Sequence, residues 1–352
     1  MIQRTDATVQ ALTPIKTTEI NKNWQQALAE SITDPEQLIQ LLQLPPSILP
    51  QLQRAGESFQ LRVPRPFLDL MEPGNLNDPL LLQVLPQAQE LLSQPGYLRD
   101  PLQEANHNPQ RGIIHKYHGR VLLTLSGACA VNCRYCFRRH FPYQDNQLGS
   151  EQWQQVLDYL RQHPEVQEVI FSGGDPLATP DNRIFKMLDD LEQLPQLRRL
   201  RIHSRLPVVI PQRLTDALSQ RLQQSRLQVV LVLHINHSNE ISVALQQQLQ
   251  PLQRGGITLL NQSVLLKGVN DNSDTLVHLS EQLFASGILP YYLYLLDPVE
   301  GAAHFDLDET RARLLAGQMA ARLPGYLVPK LARDIPGKAA KTQILPLEAD
   351  LG

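Results

Sequence analysis

The chain has 352 residues, 42% of them hydrophobic, with 32 Lys and Arg against 35 Asp and Glu for a net charge of −3. That length and apolar content support one large α/β domain with an appendage, or two domains, and the balanced charge excludes a basic field for nucleic acid or anionic membrane. No apolar run reaches the ~20 residues of a membrane span and the first residues lack an apolar signal core, so a soluble, cytoplasmic protein is expected.

Residues 1–110 read as a mainly helical region. Leu, Ile and Ala recur at helical spacing over 21–31 and 34–44. Asp34 followed by Pro35 and Glu36 suits a helix start. Proline-rich joints at Pro45 and Pro46, Pro64 and Pro66, and Pro79 then break the chain. Beyond them the pattern changes to strands over 121–125, 166–171, 200–203, 228–235, 257–266 and 291–296. Helices are expected between them over 150–162, 182–193, 211–224, 240–252 and 274–286. Strand and helix alternate every ~30 residues, as in parallel βα units. Six units predict an incomplete TIM-like (βα)6 barrel over 111–325, with a short C-terminal segment over 326–352. The candidate residues of the barrel end or follow its strands, where such barrels carry their chemistry.

Cys129, Cys133 and Cys136 are the only cysteines, in the run Cys-Ala-Val-Asn-Cys-Arg-Tyr-Cys. An odd count without a secretory signal argues against a disulfide. Three thiolates on one loop can hold three irons of a cubane iron–sulfur cluster and leave the fourth iron open to an outside ligand. His140 keeps a Cys3His zinc site open, although zinc modules usually pair their ligands across two short knuckles. Tyr135, between two cysteines, either shields the metal or simply packs.

Other motifs follow the strands. Ser172-Gly173-Gly174-Asp175-Pro176 ends the second, and its glycines allow either a close backbone approach to a ligand or a sharp turn. His234-Ile235-Asn236-His237 ends the fourth, and two His with an Asn at such a loop suit a pocket. Asn261-Gln262-Ser263 interrupts the fifth with polar groups that need a ligand or internal hydrogen bonds. Asp297 follows the sixth, where a carboxylate is expensive unless it meets a cation. Near the C-terminus Asp334 adds a second carboxylate, and Lys338 and Lys341 accompany a turn of small residues.

The spacing C-x3-C-x2-C resembles the signature of radical S-adenosylmethionine (SAM) enzymes, and the Gly-Gly-Asp turn resembles that family's Gly-Gly-Glu element. With the run from His203 to Arg213 and the Asn-Gln-Ser-Val-Leu-Leu run, residues 110–345 are similar to lysine 2,3-aminomutases. The resemblance implies a [4Fe–4S] cluster on Cys129, Cys133 and Cys136. It implies SAM contacts from Ser172, Gly173, Gly174, Asp175, His234 and Gln262. It also implies pyridoxal 5′-phosphate (PLP) on a Schiff-base lysine, Lys341, with Lys338 as a rival because Lys338, Ala339 and Ala340 stand where the family has glycines. Tyr117 and Arg120 match residues beside the PLP ring and phosphate, and Lys116 is placed with them although the family more often has Arg there. Arg138 matches the arginine on the substrate α-carboxylate, a task that suits a planar guanidinium. Asp297 and Asp334 match the carboxylates on the substrate ε-ammonium.

The activity so implied is conversion of free L-lysine to β-lysine by a 5′-deoxyadenosyl radical, with an electron donor such as flavodoxin or ferredoxin. The catabolic enzymes carry a longer C-terminal segment with zinc-binding cysteines, and the short form here, with no cysteine after Cys136, looks like the short bacterial branch, EpmB, which makes (R)-β-lysine for attachment to elongation factor P by a lysyl ligase. A catabolic lysine or glutamate aminomutase is one alternative, and two pocket carboxylates argue against an acidic substrate side chain. A non-catalytic iron–sulfur or zinc scaffold is another.

Overall fold

A computed structural model describes residues 23–146 and 148–348. Positions 21 and 22 of the first expected helix, the rest of 1–22, and 349–352 of the C-terminal segment lie outside the described residues.

Nine strands form one sheet whose spatial order is their order in the chain. They are β1 (Ile113–Tyr117), β2 (Arg120–Ser126), β3 (Glu168–Gly173), β4 (Arg199–Ser204), β5 (Gln228–His234), β6 (Thr258–Val264), β7 (Leu289–Tyr294), β8 (Lys330–Arg333) and β9 (Thr342–Gln343). Strands β2 to β8 are parallel neighbours, whereas β1 and β9 pair antiparallel with β2 and β8. No ladder joins β1 to β9 among the described residues. Residues from β1 through β8 or their ends line one common cavity, so the sheet curls around it as an open barrel.

The expected six parallel strands fall one short. Lys330–Arg333 is the seventh, and with a basic residue at each end it has almost no apolar pattern to read. Helix Glu309–Arg322, which delivers it, was also not expected; Gly317 in its middle blunts the helical signal.

Period-two geometry positions the chemistry. Val121, Leu123 and Leu125 of β2, Leu200 and Ile202 of β4, and Leu293 with Leu295 at the end of β7 are buried in the apolar layer. Their neighbours Leu122, Arg201, His203, Tyr292 and Tyr294 line the cavity instead. Pro290 in β7 has no N–H to give the ladder, and the β6–β7 register slips beside it. That slip lets the consecutive Tyr291 and Tyr292 both reach the cavity.

Helices Ser150–Gln162, Asp181–Glu192, Asp216–Gln223, Val243–Arg254 and Ser273–Ala285 follow successive strands. Their apolar stripes, such as Ile184, Leu188 and Leu191, join the outward residues of β2 and β4 in one core, while Leu276 and Val277 pack with Leu293 and Leu295 in a second. Full burial of a leucine such as Leu188 contributes ~1.5–3 kcal/mol. Caps set the helix starts. Thr215, Ser242 and Asn272 each accept the backbone N–H three residues on. The expected helix over 211–224 is therefore split, with Pro211–Arg213 forming a separate 3-10 turn. The one expected from 240 begins at Val243.

In the N-terminal region the first two expected helices run over Trp24–Ala29 and Pro35–Leu41, the second capped by Asp34. This region grips the cysteine loop: Asn132 N–H donates to Arg62 O and Arg134 N–H to Gln83 O. Among the described residues no helix is long and apolar enough to cross a membrane.

Candidate active site

A cavity of about 530 Å³ opens among the strand ends, and every residue singled out for cluster, nucleoside, cofactor and substrate lines it. Lys338 does not; it is exposed.

The cysteine loop is held from two sides. Buried Arg134 donates from Nε and Nη2 to the two oxygens of Glu90, and from Nη1 to Phe59 O. On the opposite side lies the glycine turn. A Cβ on Gly173, whose φ is +120°, would sit 2.6 Å from Ser126 O, and one on Gly174 would sit 2.7 Å from Ala128 O. Only glycine allows this backbone-to-backbone contact.

Asp175 lines the cavity and is tied to the protein through both carboxylate oxygens. Its Oδ1 accepts from Leu177 N–H (3.0 Å) and the Ser204 hydroxyl (2.7 Å), and its Oδ2 from the N–H groups of Arg205 and Leu206 (2.8 Å each). These bonds let Asp175 brace the turns after β3 and β4 at the wall of the cavity. Burial raises its pKa, and those hydrogen bonds oppose the rise.

Burial pushes the Cys129 thiol well up and Cys136 to about 11, with negative charge on neighbouring cysteines adding to both. Metal ligation here must therefore expel protons. The donor set, three soft sulfurs on one loop, suits a multi-iron cubane. His140 points its Nε2 at Glu300 O, 3.3 Å away, and lines a neighbouring pocket.

Behind the loop lies a buried polar hub that sequence reasoning missed. Arg205 Nη1 is 2.7 Å from Cys133 Sγ and 2.6 Å from the Tyr135 hydroxyl, while Nη2 donates to Gln83 Oε1 and Glu240 Oε2. The Tyr135 oxygen also accepts from Asn236 Nδ2 (2.7 Å) and faces His234 Nε2 at 2.8 Å. Burial and then Arg205 push His234 down to about 3, so its imidazole is neutral. Tyr135 is thus a buried junction rather than a simple shield.

Two other motifs are only partly absorbed. Asn261 and Ser263 hydrogen-bond the backbone of Ile235, leaving Gln262 as the member that faces the cavity. His237 caps the short turn Ser238–Glu240 by accepting from Asn239 N–H, and only His234 of that pair lines the cavity.

The substrate-class residues are already interlocked. Asp334 binds Lys116 Nζ at 2.5 Å and Lys341 Nζ at 3.2 Å, and the Tyr117 hydroxyl donates to both its oxygens at 3.1 Å. Burial would raise the Asp334 pKa, but Lys341 and Lys116 outweigh it and hold it below the ordinary range. Lys341 Nζ also lies 4.5 Å from the Tyr294 ring centre. Asp297 differs: burial pushes it up to about 7, opposed by Lys341 and reinforced by Asp334. Arg120 stacks over the Tyr117 ring at 4.5 Å. Arg138 is forked onto Glu104, which sequence reasoning also missed. A third missed residue is His203, whose buried Nε2 has no hydrogen-bond partner and whose pKa burial drives well down.

Comparison with known proteins follows the same lines. Residues 123–244 match the family described as the Radical SAM superfamily. The chain is 50% identical over 335 residues to the L-lysine 2,3-aminomutase of Escherichia coli (strain K12), covering 95% of this chain and 97% of that protein. It is 50% identical over 321 residues to the L-lysine 2,3-aminomutase of Haemophilus influenzae, covering 91% and 95%. Against the protein of that name from Clostridium subterminale the identity is 34% over 325 residues, covering 92% and 78%.

Proposed function

The chain belongs to the L-lysine 2,3-aminomutase family of radical SAM isomerases, and from that premise we propose that it converts free L-lysine to (R)-β-lysine in the cavity described above. One observation carries the reading. A single cavity is lined by a loop of three cysteines and by two carboxylates, Asp297 and Asp334, the second of them paired with Lys341.

In this reading Cys129, Cys133 and Cys136 hold a [4Fe–4S] cluster beside bound SAM, and Lys341 holds PLP. When bound, the cluster and SAM supply a 5′-deoxyadenosyl radical, and PLP carries the amino group as it migrates from Cα to Cβ. The chain's own residues orient the parts. Ser172, the Gly173–Gly174 backbone with Asp175 bracing its turn, His234 and Gln262 are assigned to SAM. Arg120, whose guanidinium rests on Tyr117, is assigned to the PLP phosphate, because a planar fork suits that anion. Lys116 and Tyr117 fix Asp334. Arg138 receives the substrate α-carboxylate, and Asp297 and Asp334 receive its ε-ammonium. A largely desolvated carboxylate such as Asp297 gains most when a cation arrives. The same pair repels an acidic side chain, which argues against glutamate.

Residues 1–110 are assigned to the N-terminal region, whose described part clamps the cysteine loop through Phe59, Arg62 and Gln83, 111–325 to the radical SAM core and 326–352 to the PLP-lysine segment. The product is assigned to a ligase that attaches it to elongation factor P, and the electron to a flavodoxin or ferredoxin in the cytoplasm. Support for that branch is the 50% identity along nearly the whole length of two bacterial relatives, against 34% to the clostridial one.

Anaerobic turnover of lysine, ornithine, glutamate and alanine by reconstituted enzyme tests the reading. Lysine turned over ahead of the others supports it, and a preference for glutamate or alanine refutes it. A mass gain on elongation factor P, on adding product and ligase, tests the branch.

A further inference from the structure

Arg205 follows β4 directly and is 6% exposed; its partner Glu240 is 0% exposed. Nη1 reaches Cys133 Sγ at 2.7 Å, while Nη2 donates to Glu240 Oε2 at 2.9 Å and to Gln83 Oε1 at 2.6 Å. The backbone N–H of Arg205 is tied to Asp175, and the guanidinium carbon lies 5.4 Å from the Phe67 ring centre and 5.7 Å from that of Tyr135. The cation is therefore fixed in place by the protein itself. Arginine and glutamate are nearly neutral as a pair, but they are oriented, with the positive group against the sulfur and the negative group behind it.

We propose that Arg205 is a positioning residue that raises the reduction potential of the cluster assigned to this loop. The proposal rests on Cys133 being a cluster ligand. Reduction adds one electron from a low-potential donor and breaks no protein bond. An N–H donor and a positive charge at a ligating sulfur favour the more negative, reduced state, and hydrogen bonds to sulfur and local charge are known levers on such potentials. The field is little screened because the guanidinium is out of water. Glu240 tempers it. Removing the arginine should make reduction harder, and neutralising the glutamate should make it easier.

The test compares reconstituted wild type, Arg205→Met, Arg205→Lys and Glu240→Gln. Iron and sulfide are counted first. Each protein is then titrated with dithionite and mediators, without SAM, and the reduced cluster is read by electron paramagnetic resonance. At the wild-type midpoint, Arg205→Met should show a reduced-to-oxidised ratio about tenfold lower, equivalent to ~59 mV for a one-electron couple. Glu240→Gln should shift the ratio the other way, and Arg205→Lys should fall between Met and wild type. Full iron content with a wild-type midpoint in both Arg205→Met and Glu240→Gln overturns the proposal. So does weakened SAM binding at an unchanged midpoint, which would make Arg205 a nucleoside contact. If Arg205→Met binds no iron, Glu240→Gln and Arg205→Lys decide alone: shifts in the stated directions support the proposal and unchanged midpoints overturn it. Failure of the wild type itself to bind iron would sink the cluster assignment, a distinct result.

Discussion

Glu104 closes both carboxylate oxygens on Arg138, with Oε1 2.6 Å from Nη2 and Oε2 2.7 Å from Nε. Nη1 turns to the Ser172 hydroxyl at 3.1 Å and Gly173 O at 3.4 Å. The guanidinium edge assigned to a substrate carboxylate is thus already held in the bidentate manner by a residue of the N-terminal region. The pair also walls both the main cavity and its neighbouring pocket. A substrate carboxylate must compete with Glu104. Glu104→Gln should lower KM for lysine while leaving kcat within a few-fold. It should also destabilise the fold, by up to the ~3–5 kcal/mol typical of breaking a buried ion pair. Steady-state kinetics and denaturant unfolding check both arms. A raised KM would instead show that Glu104 positions Arg138 for substrate.

Asp297 gives a pH dependence with a definite sign. Its pKa is raised from 3.8 to about 7 in the folded protein. The folded state then keeps a proton that the unfolded chain has released, so the contribution of Asp297 to stability falls as pH rises through that window. Asp297→Asn should be more stable than wild type near pH 8 and should lose that advantage toward pH 4. Lysine binding favours ionised Asp297, so below about pH 7 it should expel a proton and tighten with rising pH. Melting curves across pH, and calorimetry in buffers of different ionisation enthalpy, report the two effects. Parallel pH profiles for wild type and variant would contradict the assignment.

The two carboxylates should separate experimentally. Loss of either should lower lysine turnover by orders of magnitude, on the scale of ~2–5 kcal/mol for a desolvated charge pair. Only Asp334 binds Lys116, Tyr117 and Lys341. Asp334→Asn should therefore also impair PLP loading, visible in the absorbance of the purified protein, while Asp297→Asn should load normally. Equal loading in both variants would show that the lysine contacts of Asp334 do not shape the cofactor site.

Lys341 lines the cavity and Lys338 is exposed outside it. Borohydride reduction and peptide mapping should find the PLP adduct on Lys341. The adduct should vanish in Lys341→Ala and survive in Lys338→Ala. An adduct on Lys338 would overturn the assignment.

Each of Cys129→Ala, Cys133→Ala and Cys136→Ala should prevent cluster assembly, because a three-thiolate site has no spare ligand. His140→Ala should retain iron, since its ring is turned to Glu300 O. Loss of metal in His140→Ala would revive a Cys3His reading.

Much of this site is legible in the sequence because its residues sit at strand ends that hydrophobic periodicity already marks. Cys129, Gly173, His234, Gln262 and Asp297 are local landmarks of that kind. What stayed hidden is long-range. Glu90 pairs with Arg134 across 44 positions, Arg138 with Glu104 across 34, and Arg205 with Gln83 across 122. Nothing in a local window announces such partners. A motif also does not show which of its polar groups serve the backbone: Asp175 accepts the N–H two residues on, and Asn261 and Ser263 donate to the Ile235 carbonyl, leaving Gln262 to the cavity. The four-residue β8 was too short and too polar to read.

The most direct test of the central claim uses L-lysine deuterated at Cβ, incubated anaerobically with reconstituted enzyme, SAM, PLP and dithionite. The account predicts β-lysine carrying deuterium at the carbon that has lost nitrogen, deuterium in 5′-deoxyadenosine, and neither product from Asp297→Asn at a comparable rate. β-Lysine formed without label reaching the nucleoside, or nucleoside cleavage with no β-lysine at all, would contradict it.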